Sequence, residues 1–390
     1  MLRPSNRSSV RRVLVVDDGT GLWGAQRCIM RLTPFLRDRG DVVGLLSPTG
    51  SAMAAAWSRD DVGPVFFLEP SGLILDARNE KGDLTPWRVL VAGVQLARRA
   101  ASITVNARRF NADVIVANSF WSHFDASVAG RLARRKVVLY VHEECPTGLP
   151  GIALRFAARL ASVTVAVSQD VARSIGGRSH ITVVTNGVDV ERFSPGPADP
   201  VVRGELAASS SDPLVVVLCR LDAPKQVDHV IRAVAGLSGP LATTQLAIIG
   251  DATNDAPYAD ELRTLGRDLL GGRVRFLAPR DDVTSVLRCA DLYVLAGRHE
   301  GMPLGVLEAQ ATGCAVVAYP AAGVKNSVIH GVSGMLAEAN DWTSLRDNIA
   351  QVLTDADLRR RIAVAAREMV ETRFNLTAQA SRILDILADL

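Results

Sequence analysis

The stretch that decides the fold is residues 290–323, "ADLYVLAGRHEGMPLGVLEAQATGCAVVAYPAAG". It reads as strand, loop, helix and strand. An apolar run ends near Ala296, a loop carries His299, Glu300 and Gly301, Pro303 opens a helix, and Gly313 closes it before a second apolar run. The same alternation continues outward in both directions: "VLVVD", "VVGLLS", "VFFLE", "DVIVANS", "KVVLYVH", "VTVAVS" and "ITVV", then "PLVVVLCRL", "QLAIIGD", "RVRFLA", "DLYVLAG" and "CAVVAYP". Strands alternating with helices form parallel sheets covered on both faces, so the fold class is α/β. The series breaks at "NGVDVERFSPGPADPVVRGELAASSSDP", rich in Pro, Ser, Gly and Asp, which reads as a linker. It separates seven expected strands from five or six, and beyond residue 340 the pattern is helical. The expectation is two doubly wound, Rossmann-like domains facing a central cleft, with ligands at the carboxyl ends of the strands.

A chain of 390 residues accommodates two such domains. No run of ~18 apolar residues is present, so no membrane-spanning helix is expected. The start "MLRPSNRSSVRRVLVVDDG" has only four apolar residues before two aspartates, which makes no signal-peptide core, so a cytoplasmic location is expected. The five cysteines are scattered and form no C-x-x-C pair, which indicates neither a disulfide framework nor a zinc site. Charge is uneven. Residues 1–190 hold 24 Lys+Arg against 16 Asp+Glu, a balance of +8, and the remainder holds 20 against 25, or −5. The arginines cluster at Arg98, Arg99, Arg108 and Arg109, at Arg131, Arg134 and Arg135 beside Lys136, and at Arg155 and Arg159. No recognition motif or interleaved aromatic stripe accompanies them, so nucleic acid is not expected. An anionic acceptor or membrane surface is one reading, with the protein peripheral on the inner face of the cell membrane; solvated helix faces are the other.

Gly19, Gly21 and Gly24 fit G-x-G-x-x-G after a strand and before a helix, where backbone N–H groups approach a diphosphate. A nicotinamide site also needs an acid at the end of the second strand, and here that strand ends in Ser47 and Pro48. Asp17 and Asp18 stand before the first glycine, facing whatever enters. The loop is therefore read as facing an anion or substrate. In the second half, the N–H groups of Gly301, Met302, Leu304 and Gly305, about the helix that Pro303 opens, are placed to bind a diphosphate or sugar hydroxyls. Glu308 lies on an otherwise apolar helix, where adjacent ribose hydroxyls would satisfy its carboxylate, unless it faces water. Arg220 ends a strand and Lys225 follows five residues on, suited to a diphosphate leaving group or to ion pairs with Asp222 or Asp228.

These motifs together resemble glycosyltransferase family 4, the GT-B group of retaining, nucleotide-sugar-dependent transferases, over nearly the whole chain. "EGMPLGVLE" looks like the family's Glu-x7-Glu element, "RLDAPK" like its Arg and Lys diphosphate clamp, and "VVTNGVDVERFSPG" like its interdomain segment. "VRFLAPRDDV" is similar to the loop that holds the nucleotide base, and "RFNLTAQASRIL" to the helix that crosses back to the first domain. The resemblance implies an acceptor-side domain 1–190, completed by residues 373–390, and a donor-binding domain 191–372. It implies that Glu308 binds the ribose, Glu300 touches the donor sugar, Arg220 and Lys225 neutralise the diphosphate, and His142, closing "KVVLYVH", lies near donor and acceptor. Gly250 and Arg280 join the donor set, and Gly19, Gly21 and Gly24 become the acceptor-side glycine loop. Neither metal nor cofactor is implied; the nucleotide sugar is a substrate. Three residues depart from the family pattern: Gln26 stands where Glu is common, Met302 replaces a common Phe, and Asn326 occupies a usual Glu position. The expected activity is hexosyl transfer to a saccharide, lipid-linked or small-molecule hydroxyl, in cell-surface polysaccharide or glycolipid synthesis. A transferase for a soluble acceptor and a sugar-nucleotide epimerase are the alternatives.

Overall fold

The β-branched runs pair into two wholly parallel sheets, one in each of two compact units. The computed structural model describes residues 10–69, 86–176, 180–252 and 255–390; the basic start of the chain, residues 1–9, lies outside them. One unit reaches to Val184 and takes in Ala380–Leu390, and the other is Thr185–Gln379.

In the first unit the strands are β1 Arg12–Val16, β2 Val42–Pro48, β3 Val65–Leu68, β4 Val114–Ala117, β5 Lys136–Val141, β6 Val163–Ala166 and β7 Ile181–Val183, in the order β3-β2-β1-β4-β5-β6-β7. In the second they are β8 Leu214–Leu218, β9 Gln245–Ile249, β10 Val274–Leu277, β11 Leu292–Leu295, β12 Val316–Ala318 and β13 Met335–Leu336, in the order β10-β9-β8-β11-β12-β13. The expected two Rossmann-like sheets are therefore present, and the two-residue β13 is the strand the apolar runs did not reveal. Each chain path runs outward on one side and then restarts on the other. The reversal falls between β1 and β4, where Val16 pairs with Ala117, and between β8 and β11, where Val216 pairs with Tyr293. Loops leaving neighbouring strands in opposite directions open a crevice at each such point.

Alternation within a strand covers both faces. Val215 and Val217 join Leu246, Ile248, Leu292 and Val294 in one core, whereas Leu214 and Val216 join Ala247 and Ile249 in another. Helix starts are capped by Ser51, Ser168, Asp199, Asp255, Asp341 and Asp355, each accepting a backbone N–H of the first turn. The helix Gly24–Asp38 tolerates Pro34 in its interior because Thr33 Oγ1 donates, at 2.8 Å, to the Met30 carbonyl that the proline leaves without a donor.

The Pro-rich segment read as a linker is fastened to the second unit. Arg367 donates to the carbonyls of Val190 at 3.0 Å and Phe193 at 2.6 Å, Arg288 donates to Ser194 O at 2.8 Å, and residues Pro200–Leu206 form a helix. Low periodicity in this segment reflects backbone groups satisfied by distant arginines rather than by a ladder of its own. The chain re-enters the first unit within the helix Leu376–Ala388, whose Ile383, Ile386 and Leu387 line one apolar cavity with Val13, Val116 and Val138 of the sheet. Arg11 and Arg39 each donate, at 2.7 Å, to carbonyls near that helix's end.

Candidate active site

At the reversal point of the second sheet, the loop after β8 and the loop after β11 are joined by Arg298 N donating to Pro224 O at 3.0 Å. Lys225 closes the 3-10 turn Ala223–Lys225, and its Nζ lies 2.7 Å from Glu300 Oε1; both side chains are largely buried. Burial by itself would depress the ammonium, but the charge and hydrogen bond of Glu300 carry it above its usual range. Arg220 is ion-paired with Asp222 at 3.0 Å and keeps partial exposure. Burial raises the Asp222 carboxyl, against the pull of Arg220 and Lys225. Burial also pushes the neighbouring Cys219 thiol up to about 12, so it is no nucleophile at neutral pH. Of the two expected partners, Asp222 takes Arg220, while Asp228 accepts from the Tyr258 hydroxyl at 2.8 Å and Lys225 pairs with Glu300 instead.

Gly301, Met302, Pro303 and Leu304 are buried and lead into the helix Leu304–Ala311, whose start carries no side-chain cap. Two bonds fix the loop: Asn186 Nδ2 to Met302 O at 2.9 Å and Gly323 N to Glu300 O at 2.7 Å. An uncapped helix start held rigid is the positive end of a dipole with N–H groups to spare. Glu308, one turn on, is 5% exposed, so it does not face water. Gly250 follows β9 where a Cβ would stand 1.7 Å from the Cys219 carbonyl oxygen, so only glycine lets these two loops meet. Arg280 is committed elsewhere: its guanidinium grips Asp282 through two bonds, at 2.7 and 2.6 Å, and reaches Glu205.

The first unit carries its own polar cluster at the matching place. Asp17 is buried and accepts from Asn118 Nδ2 at 2.6 Å, Gly19 N at 2.8 Å and Gln26 Nε2 at 3.0 Å, yet burial still lifts its carboxyl to about 6. A Cβ at Gly19 would lie 2.5 Å from Gln26 Nε2, so a larger residue there would displace the Gln26 side chain from Asp17. Gly21 rests on the Trp23 indole, and Gly24 opens the helix. His142, after β5, meets Asn118 Oδ1 at 3.0 Å, and its ring lies tilted against Tyr140 with centroids 4.4 Å apart. Burial, with a smaller contribution from His123, lowers its imidazole to about 3, so it is neutral.

Asp18 bonds to Ser119 and lies 3.4 Å from Arg99, which also holds Asp125 at 2.6 Å. Arg99 is 2% exposed. It therefore leaves the surface arginine cluster in which composition had placed it, because a buried pair of carboxylates requires a cation. Asn118, Ser119 and Asp125 went unread in the sequence. The available signal was the polar pair "NS" closing the "DVIVA" strand, beside the strand that ends in Asp17 and Asp18.

Comparison with known proteins adds to this geometry. The family model described as "Glycosyltransferase Family 4" matches residues 23–192, and the model described as "Glycosyl transferases group 1" matches residues 200–369. A D-inositol 3-phosphate glycosyltransferase of Corynebacterium kroppenstedtii is 32% identical over 219 residues, which are 54% of this chain and 48% of that one. The chain thus spans about half the length of the curated relatives it matches. A GDP-mannose-dependent alpha-(1-6)-phosphatidylinositol monomannoside mannosyltransferase of Mycobacterium tuberculosis is 27% identical over 229 residues, 55% of this chain and 58% of that one. Among solved structures, HepE of Anabaena, in complex with UDP and glucose, superposes with a TM-score of 0.81 at 24% identity, covering 97% of this chain and 100% of that one; the likeness is one of fold. Matched in both halves and sharing the two-sheet architecture, the chain belongs to the group 1, family 4 glycosyltransferases of GT-B fold.

Proposed function

We propose that this protein is a retaining transferase that moves a hexosyl group from a nucleoside-diphosphate sugar to an acceptor hydroxyl. The observation that carries this reading is the set gathered at the second sheet's reversal point: Lys225 and Glu300, Arg220, the open helix start and buried Glu308. In this role Glu308 accepts from the ribose hydroxyls and Glu300 from the sugar. Arg220, Lys225 and the helix start take the charge that develops as the bond from sugar C1 to the β-phosphate oxygen breaks. The acceptor oxygen bonds to C1 on the same face, and its proton passes to the departing phosphate. No metal is required by this charge balance. HepE, crystallised with UDP-glucose, offers a precedent for the donor.

The acceptor we favour is lipid-linked or otherwise held at an anionic membrane. Helix Gly148–Leu160 exposes Leu149, Ile152 and Phe156 at 55%, 56% and 46%, three positions on one face, with Arg155 and Arg159 beside them; Phe156 meets the ring of Phe124, and exposed Trp121 lies close to Phe124 in sequence. No helix among the described residues is long and apolar enough to cross a membrane. A small soluble acceptor is the second reading, favoured by relatives named for D-inositol 3-phosphate. Thermal shift of the purified protein against a panel of nucleotide sugars tests the donor, since a tight ligand raises Tm. Proton NMR of the first glycoside formed then reads the anomeric configuration. Retention is expected; inversion, or a changed sugar with no acceptor consumed, would replace this reading.

A further inference from the structure

The polar cluster behind β1 and β4 has a direction. Asn118 Nδ2 donates to Asp17 Oδ2 at 2.6 Å and to the Ala25 carbonyl at 3.2 Å. With its amide protons so aimed, the oxygen Oδ1 is the atom turned to His142 Nε2, 3.0 Å away. A carbonyl oxygen only accepts, so Nε2 carries the imidazole proton and Nδ1 presents a lone pair. No described residue hydrogen-bonds that Nδ1. On the far side of Asp17, Gln26 Nε2 lies 3.0 and 3.1 Å from the two carboxylate oxygens, and Gln26 Oε1 accepts from Trp23 N at 3.3 Å. Both ends of the Gln26 amide are thereby assigned. The glutamine is consequently not a neutral replacement for the glutamate common in the family. A glutamate would still accept from Trp23 N, but it would bring a second carboxylate against Asp17, relieved only by a shared proton.

We propose that Asp17 and Asn118 are positioning residues that lock His142 as the neutral Nε2–H tautomer, so that it offers the transferring groups a hydrogen-bond acceptor, Nδ1, and not a cation. What His142 acts on rests on the transferase reading; which nitrogen holds the proton does not. The lowered basicity of the ring agrees, since it stays neutral throughout the physiological range. The consequence for chemistry is that Nδ1 orients a hydroxyl by accepting its proton in a hydrogen bond.

The test is two-dimensional NMR of the full chain carrying 15N-histidine, with His142→Gln assigning the signal. A pyridine-type Nδ1 and a protonated Nε2 are expected in the wild type. Asn118→Leu should mix the tautomers and lower kcat roughly 10- to 100-fold while donor KM stays within about twofold, the signature of lost orientation and not lost binding. If the leucine variant melts early by circular dichroism, the wild-type spectrum decides. A protonated Nδ1 in the wild type, or an Asn118→Leu enzyme with unchanged tautomer and kcat, overturns the proposal. A wild type that shows the expected tautomer but transfers no sugar from any donor defeats the transferase reading and upholds the tautomer assignment.

Discussion

Lys225 and Glu300 are each buried charges that depend on the other, so single substitutions confound stability with chemistry. Lys225→Ala should cost on the order of 3 kcal/mol in urea unfolding because it strands a buried carboxylate. Pairing it with Glu300→Gln should return most of that stability but not turnover. A double variant that recovers full kcat would mean that Lys225 serves Glu300 alone. Glu308→Ala should weaken the matching nucleoside diphosphate by roughly 1–3 kcal/mol in calorimetry, the worth of charge-assisted bonds to the ribose. An unchanged dissociation constant removes Glu308 from the site. Buried titratable groups set the acid response. His123 is held down to about 4 and His142 to about 3, chiefly by burial, whereas Asp17 and Asp125 are raised to about 6, also chiefly by burial. The histidines contribute stability that is present above their unfolded value of 6.5 and lost as pH falls through their folded values; the aspartates contribute stability that is present below 3.8 and lost as pH rises through 6. From pH 6.5 to 4 the two pairs oppose each other, and the larger histidine shifts should make Tm fall on acidification, less steeply in His142→Gln. A Tm that climbs over that window would show the carboxylates to be in command.

At the scale of elements, what the sequence disclosed and what it withheld divide along local and distant causes. "VLVVD" and "PLVVVLCRL" announce central strands because both faces of each are buried, a property written into consecutive residues. The strand-end cations and the Glu300 to Glu308 spacing were legible for the same reason. Asp17 and Asn118, by contrast, lie 101 residues apart and meet only through the pairing of β1 with β4. The fastening of the Pro-rich segment by Arg367, and the burial of Arg99, likewise depend on partners far along the chain. Within the helix Gly24–Asp38 a local conflict is settled locally: Thr33→Val should cost about 1–2 kcal/mol by orphaning the Met30 carbonyl. The same change in a Pro34→Ala background, where an N–H returns to that carbonyl, should cost far less. Urea unfolding of the four proteins reads the coupling, and equal losses in both backgrounds would refute the compensation.

For the whole molecule, the exposed face of Leu149, Ile152 and Phe156 and the surface arginines make a prediction about place. Arginine near an anionic bilayer contributes up to ~1 kcal/mol per residue, falling within a Debye length. Co-sedimentation with phosphatidylserine vesicles at low salt, release at high salt, and loss of binding in Ile152→Ser with Phe156→Ser are expected. No sedimentation at low salt would return the acceptor to the soluble class. A last consequence follows from the helix Leu376–Ala388, whose Ile383 and Leu387 line one cavity with Val13 of β1 and Val116 of β4 although it is made long after those strands. The ribosome releases the strands of the first unit early, yet the cavity wall that Val13 and Val116 share with Ile383 and Leu387 is incomplete until those last residues emerge. Folding of the first unit is therefore completed after the second has been synthesised. A chain stalled or clipped before residue 380 would expose that surface to chaperones and to other nascent chains.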